Sequence, residues 1–182
     1  MNKSRFYTTT GDDGNTVRLG EAVRLSKDSP LLEAVGATDE ATSAIGMARA
    51  LVEDAALQAT LRTVQEHLVR LMAHLAATPE FRDRYPAPGV DDLTWLEACI
   101  AALEAGLPAL KAFVLPGDSL PGAALHVART AVRRAERRVV ALAAVEPGID
   151  SLCLAYLNRL SSLLFVAALH VDASLPKSDV TV

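Results

Sequence analysis

One run of residues, Leu125 to Leu142 (LHVARTAVRRAERRVVAL), restricts the possible folds of this chain more than any other. It is rich in alanine, contains neither glycine nor proline, and reads as a helix. At 3.6 residues per turn, Ala128, Val132, Ala135, Val139 and Leu142 fall on one apolar stripe, so the helix must bury a face. Arg129, Arg133 and Arg137 repeat every four residues on a second stripe, with Glu136 within reach of Arg133. Arg134 and Arg138 lie on the opposite flank. Guanidinium groups one turn apart can hold a triphosphate through paired hydrogen bonds, which a lysine point charge cannot do. The same pattern also makes a solvated, salt-bridged face, so the rest of the chain has to discriminate.

Length and charge narrow the reading. The chain has 182 residues, enough for one domain with a real core, and a hydrophobic fraction of 51% that calls for helices buried on more than one face or against other subunits. A net charge of -4 argues against a general nucleic-acid binder and makes the arginine cluster a local site. Cys99 and Cys153 lie in apolar helical patterns without metal spacing, which suits a reducing compartment. The N-terminal sequence has neither a signal-peptide core nor a basic amphipathic helix, and a cytoplasmic location is expected. Leu152 to Val171 is apolar enough to suggest a membrane helix, but Asn158 and Arg159 in its middle favour a bundle helix and no membrane association.

Three regions are expected: a loop-like arm over residues 1–30, a helical bundle over 31–175 and a C-terminal tail over 176–182, frayed from Lys177 to Val182. In the arm, Thr8, Thr9, Thr10, Gly11, Asp12, Asp13 and Gly14 offer hydroxyls, open backbone N–H groups and carboxylates, a mixture suited to phosphates and Mg2+ but also to an ordinary turn. Helical periodicity then runs from Leu31 to about Glu53 and from Ala55 to Ala77. In the first of these, Asp39 sits among small residues and is the better candidate to pair with an arginine; Glu40 is expected on an exposed face. His67 and His74 lack the spacing of a metal pair and are assigned structural roles. A proline-rich loop, Thr78 to Asp92, precedes a third helix capped by Asp91 or Asp92 and ending near Gly106. Phe113 stands on an apolar loop, where it either plugs the bundle end or projects into a pocket. After Pro147-Gly148, Asp150 or Ser151 caps the last helix, in which Asn158 and Arg159 need partners. Five helical segments with mostly short connections predict an all-α, antiparallel five-helix bundle.

Taken together, YTTTGDDGNT, VGATDEATSAIG, FVLPGD, ARTAVRRAER and YLNRLSSLLF resemble, in this order, motifs of the PduO-type ATP:cob(I)alamin adenosyltransferases. The resemblance implies a homotrimer with active sites between subunits. It also implies transfer of the 5′-deoxyadenosyl group of ATP to the cobalt of cob(I)alamin, with release of triphosphate. By the same resemblance, Arg133 holds the triphosphate, Arg129 pairs with Asp39 across the site, and Glu136 and Asn158 orient the nucleotide. Thr8, Thr9, Thr10, Gly11, Asp12, Gly14, Lys27 and Arg134 are the further expected ATP contacts, and Mg2+ screens the phosphates. Phe113 would sit under the corrin and displace its lower axial base. A reductase and a cobalamin-dependent acceptor enzyme are implied as partners. Thr9, Ala41, Thr42, Ser162, Leu163 and Leu169 depart from the family's usual residues. They leave open an alternative, a paralogue that binds ATP or corrinoid as a delivery or sensing module without transfer.

Overall fold

The computed structural model describes residues 6–20, 22–110, 112–176 and 178, and the backbone of 179 and 180. Five helices form the body: α1 (Pro30–Leu51), α2 (Ala55–Ala76), α3 (Val90–Glu104), α4 (Leu120–Ala143) and α5 (Ser151–Val171). Their starts are set by side-chain caps. Ser29 accepts from the Leu32 N–H ahead of Pro30, Asp54 from Ala56 and Leu57, Ser119 from Gly122, and Asp150 from Leu152. α3 begins at Val90, before either aspartate expected to cap it. Gly89 takes the cap position, and Asp92, three residues on, reaches back to accept from the Gly89 N–H at 2.9 Å.

Neighbouring helices pack in the order α2, α1, α4, α5, α3, and α2 also touches α5. Contacts between side chains give the directions. Glu33 meets Arg138 and Glu40 meets Arg134, so α1 and α4 run antiparallel; Asn158 meets Glu136 and Asp172 meets Ser119, so α4 and α5 do too. The predicted stripe Ala128, Val132, Ala135, Val139 and Leu142 is fully buried, facing Ala34, Ala41 and Ile45 of α1 and Leu157, Leu160 and Leu164 of α5 within one continuous core. α5 is long and apolar enough to cross a membrane, but most of that face is buried inside the bundle.

Two expectations at the ends of the chain are corrected. The arm is not all loop: β1 (Asn15–Val17) pairs antiparallel with β2 (Arg24–Ser26), because alternating residues there allow a short ladder that helical periodicity does not reveal. Nor are the described tail residues 178–180 without partners. β3 (Phe113–Val114) pairs antiparallel with β4 (Asp179–Val180), the Leu115 N–H donates to the Ser178 carbonyl at 2.8 Å, and the Ser178 N–H donates to the Asp118 carboxylate. The loop's unpaired backbone groups thus find partners in the tail. Lys177, Thr181 and Val182, also assigned to that tail, lie outside the described residues.

A polar network lies between α2, α3 and α5. The buried His67 ring meets the Tyr156 hydroxyl at 2.8 Å through Nδ1 and Asp92 at 3.2 Å through Nε2, and Arg70 donates to the same carboxylate at 2.7 Å. Trp95 packs edge-on against the imidazole. Burial, chiefly, holds the pKa of His67 below that of a free histidine, and burial followed by Arg129 does the same to His126. At Asp92 burial pushes the other way, but Arg70 and the Gly89 N–H outweigh it and keep the carboxyl below its ordinary range.

These directions fix a pH dependence. As pH falls through about 6.5, the unfolded histidines take up protons that the folded ones resist. Stability should therefore drop below that pH and stop dropping once it is under the two lowered folded pKa values. Asp92 acts later, its contribution disappearing only as pH falls through its own lowered pKa. The urea midpoint is expected to decrease from about pH 7.5 to about pH 5, and a flat profile there would contradict the assignment.

Candidate active site

The five arginines of α4 divide three ways. On the α1 side, Arg134 is ion-paired with Glu40 and Arg138 with Glu33 at 3.3 Å, bordering a groove over Gly36 and Ala37. On the α5 side, Arg129 and Arg133 border an open groove of about 450 Å³ with Glu104, Ser161, Ser162, Phe165 and Val166. Arg137 is exposed beyond both. The structure therefore brings Arg129 and Arg133 together and sends Arg134, expected among the ATP contacts, to a different face.

Arg129 is partly buried and held. Its Nε donates to Nδ1 of the buried His126 at 3.4 Å, and its guanidinium lies 6.0 Å from the Phe165 ring centre. Burial and the neighbouring Arg133 pull its pKa below the usual guanidinium value. Arg133 is exposed and makes no ion pair among the described residues. A pair of cations with one fixed and one unneutralised is what an anionic ligand needs on arrival. Phe165, Ser161 and His126 escaped the sequence reading; their signal was their placement on the α4 and α5 faces bordering the arginine stripe.

One expected contact within the bundle is rearranged. Glu136 does not brace Arg133 but accepts from Asn158 Nδ2 at 3.1 Å, since α5 offers a closer donor than the next turn of α4. Asn158 and Arg159 are exposed rather than buried, and Arg159 finds Glu97 on α3 at 2.9 Å. Asp39 is exposed and makes no ion pair among the described residues, so the expected Asp39–Arg129 pair is not formed inside one chain.

The arm is folded on itself. Thr8 and Thr10 share a hydroxyl contact at 2.8 Å, Lys27 Nζ donates to the Gly11 carbonyl at 2.6 Å, and the Lys27 N–H donates to Gly14 at 2.9 Å. Gly14 has φ +81°, a turn that only glycine adopts freely. Arg24, not singled out from the sequence, clamps Asp13 with two nitrogens at 2.7 and 2.8 Å, and holds that carboxyl below its usual range. Thr9 and Asp12 remain exposed. Among the described residues, no three His, Cys, Asp or Glu side chains converge as a metal site.

Arm and Phe113 loop occupy opposite ends. The arm joins α1 at Ser29, beside the C-terminal end of α4, whereas β3 leads into the α4 N-terminus. The 24 residues of α4 separate them by about 36 Å at 1.5 Å per residue. Phe113 is 72% exposed there, so it does not plug the bundle.

The helical bundle thus carries an arginine-lined groove on one helix pair and a glycine-threonine arm at one end. Residues 6–171 match the family model described as cobalamin adenosyltransferase. The chain is 44% identical over 167 residues to the corrinoid adenosyltransferase of Mycobacterium tuberculosis H37Rv, covering 90% of this chain and 86% of that one. It is 43% identical over 175 residues to the corrinoid adenosyltransferase of Bacillus subtilis, covering 93% and 87%. Among solved structures, it resembles a phenylalanine-to-alanine variant of the PduO-type ATP:corrinoid adenosyltransferase of Lactobacillus reuteri, complexed with cobalamin and ATP. The TM-score is 0.88 at 34% identity, over 97% of this chain and 99% of that chain. The chain belongs to the cobalamin adenosyltransferase family.

Proposed function

We propose that this chain is an ATP:corrinoid adenosyltransferase. Cobalt in cob(I)alamin supplies an electron pair to the 5′ carbon of ATP; the cobalt–carbon bond forms as the carbon–oxygen bond breaks, and triphosphate leaves with that bond's electrons. The observation that carries this reading is the pairing of a held Arg129 with an unneutralised Arg133 at one groove, in a chain of this family. Charge builds on the leaving triphosphate, and fixed guanidinium groups there stabilise it without reorganising. Glu136 and Asn158 form a ready hydrogen-bonded pair on the neighbouring turns and orient the nucleotide. Mg2+ would ride on the phosphates with its own waters and Asp12 nearby, a mode that needs no protein cage.

The arm and the Phe113 loop of one chain lie too far apart to touch one nucleotide and its corrin acceptor together. We read the complete site as shared between copies in a homotrimer, one chain's Thr8–Gly14 and Lys27 facing another's groove, where Asp39 reaches Arg129. Phe113 lies under the corrin and displaces its lower base. Free Cys99 and Cys153 suit the cytoplasm, where a reductase would supply cob(I)alamin and a cobalamin-dependent enzyme would take the product.

Most departures from the family's usual residues concern packing. Ala41, Leu163 and Leu169 are buried in the core, and Thr42 spends its hydroxyl on the Thr38 carbonyl at 2.9 Å. Thr9 and Ser162 alone face the arm surface and the groove. The deciding experiment mixes protein anaerobically with chemically reduced cob(I)alamin, ATP and Mg2+ and follows the visible spectrum. Light-sensitive adenosylcobalamin over many turnovers is expected. Binding of both ligands without product would instead make this a delivery or sensing module.

A further inference from the structure

One charged cluster takes no part in the groove. Arg18, the residue after β1, turns inward and donates to the Ala77 carbonyl at 2.7 Å. Its guanidinium also grips both carboxylate oxygens of Glu146, in the turn between α4 and α5. Arg82, from the 3-10 turn Pro79–Arg84, donates to the same Glu146 carboxylate and, at 2.8 Å, to the Pro147 carbonyl. The three side chains are only 11%, 15% and 6% exposed for Arg18, Glu146 and Arg82 respectively.

Backbone contacts reinforce the junction. Leu19 exchanges hydrogen bonds with the end of α2, donating to Ala76 at 3.1 Å and accepting from Thr78 at 3.0 Å. Gly20, at φ +93°, lies against the Phe81 ring, where a Cβ would come within 2.8 Å of ring carbons. Three segments far apart in sequence thus meet at one carboxylate at the root of the arm. Two buried guanidiniums on a single acid are a poor source of net stability, since desolvation offsets the attraction, but they fix geometry. Beyond this root, the arm is held by its own hairpin and by the Arg24 and Lys27 contacts, with residues 6–10 exposed.

We propose that Glu146 is a positioning residue for nucleotide binding: by tying Arg18 to Arg82 it sets the direction in which the arm leaves the bundle, and so presents Thr8–Gly14 to the neighbouring copy's groove. The proposal rests on the reading of the arm as a nucleotide contact. Glu146→Gln tests it by removing the charge while keeping shape and an acceptor; Arg18→Gln loosens the arm side alone. Hydrogen exchange over residues 8–17 should accelerate in both variants without any ligand present.

Because apparent affinity scales with the fraction of time a site is competent, KM and Kd for ATP should rise about three- to tenfold, with kcat and the corrinoid KM unchanged. A cluster serving the bundle alone would lower the thermal midpoint and leave arm exchange and the ATP constants where they were, and that result overturns the proposal. If Glu146→Gln fails to fold, Arg18→Gln decides on the same readings. Wild-type protein with no affinity for ATP would sink the nucleotide reading instead, while the ligand-free exchange data still tell whether Glu146 holds the arm.

Discussion

Arg133→Ala is expected to lower kcat/KM for ATP by about two to three orders of magnitude, the scale of removing one preorganised donor from a developing anion. The bundle should be indifferent to the change. Arg133 is exposed, has no ion-pair partner among the described residues, and sits on the flank away from the buried stripe of α4. Circular dichroism, the thermal midpoint and the sedimentation coefficient should therefore match the wild type. Arg133→Lys separates charge from geometry: it keeps one positive charge but loses the paired hydrogen bonds, and should recover only part of the rate. Steady-state kinetics with pre-reduced corrinoid checks both variants, and an alanine variant with wild-type turnover would refute the phosphate role.

Phe113→Ala should act on a different step. The side chain is 72% exposed on β3, so truncation removes little packing from the bundle itself. A large exposed aromatic held on a paired strand is an anchor waiting for an apolar surface. On the proposed reading it would lie beneath the corrin and displace the lower base, which would make reduction to the cob(I) state easier. Activity measured from cob(II)alamin with a reductant should fall about ten- to a hundredfold, the scale of losing a buried aromatic anchor. Activity from chemically prepared cob(I)alamin should fall much less. Equal losses by both routes would contradict base displacement and leave Phe113 as a simple corrin contact.

The helices were legible because their apolar periodicity is long and their caps are of the usual chemistry. The stripe on α4 followed from spacing and the break at Pro147-Gly148 from residue type, while the structure chooses Asp150 over Ser151 as the cap of α5. Short ladders were not legible: β1, β2, β3 and β4 are two or three residues each, too brief for any period to stand out. Side-chain partners were read less well than positions. Glu136 lies one turn from Arg133 yet bonds to Asn158, because the helix packing on α4 decides which donor is nearer. Glu40 is exposed as expected, but its ion pair with Arg134 across α1 and α4 was not read from the sequence. The Arg18–Glu146–Arg82 cluster joins residues 64 and 128 positions apart, a distance over which local pattern carries no information.

On the proposed reading of a site shared between copies, the separation of arm and Phe113 loop by the length of α4 has a genetic consequence. When each complete site draws its arm from one chain and its groove from the next, a lesion belongs to an interface and not to a polypeptide. A copy damaged in both parts spoils two sites of a closed ring. The same two lesions carried by different copies can fall together on one interface, leaving a mixed assembly with intact sites that neither mutant homo-oligomer possesses.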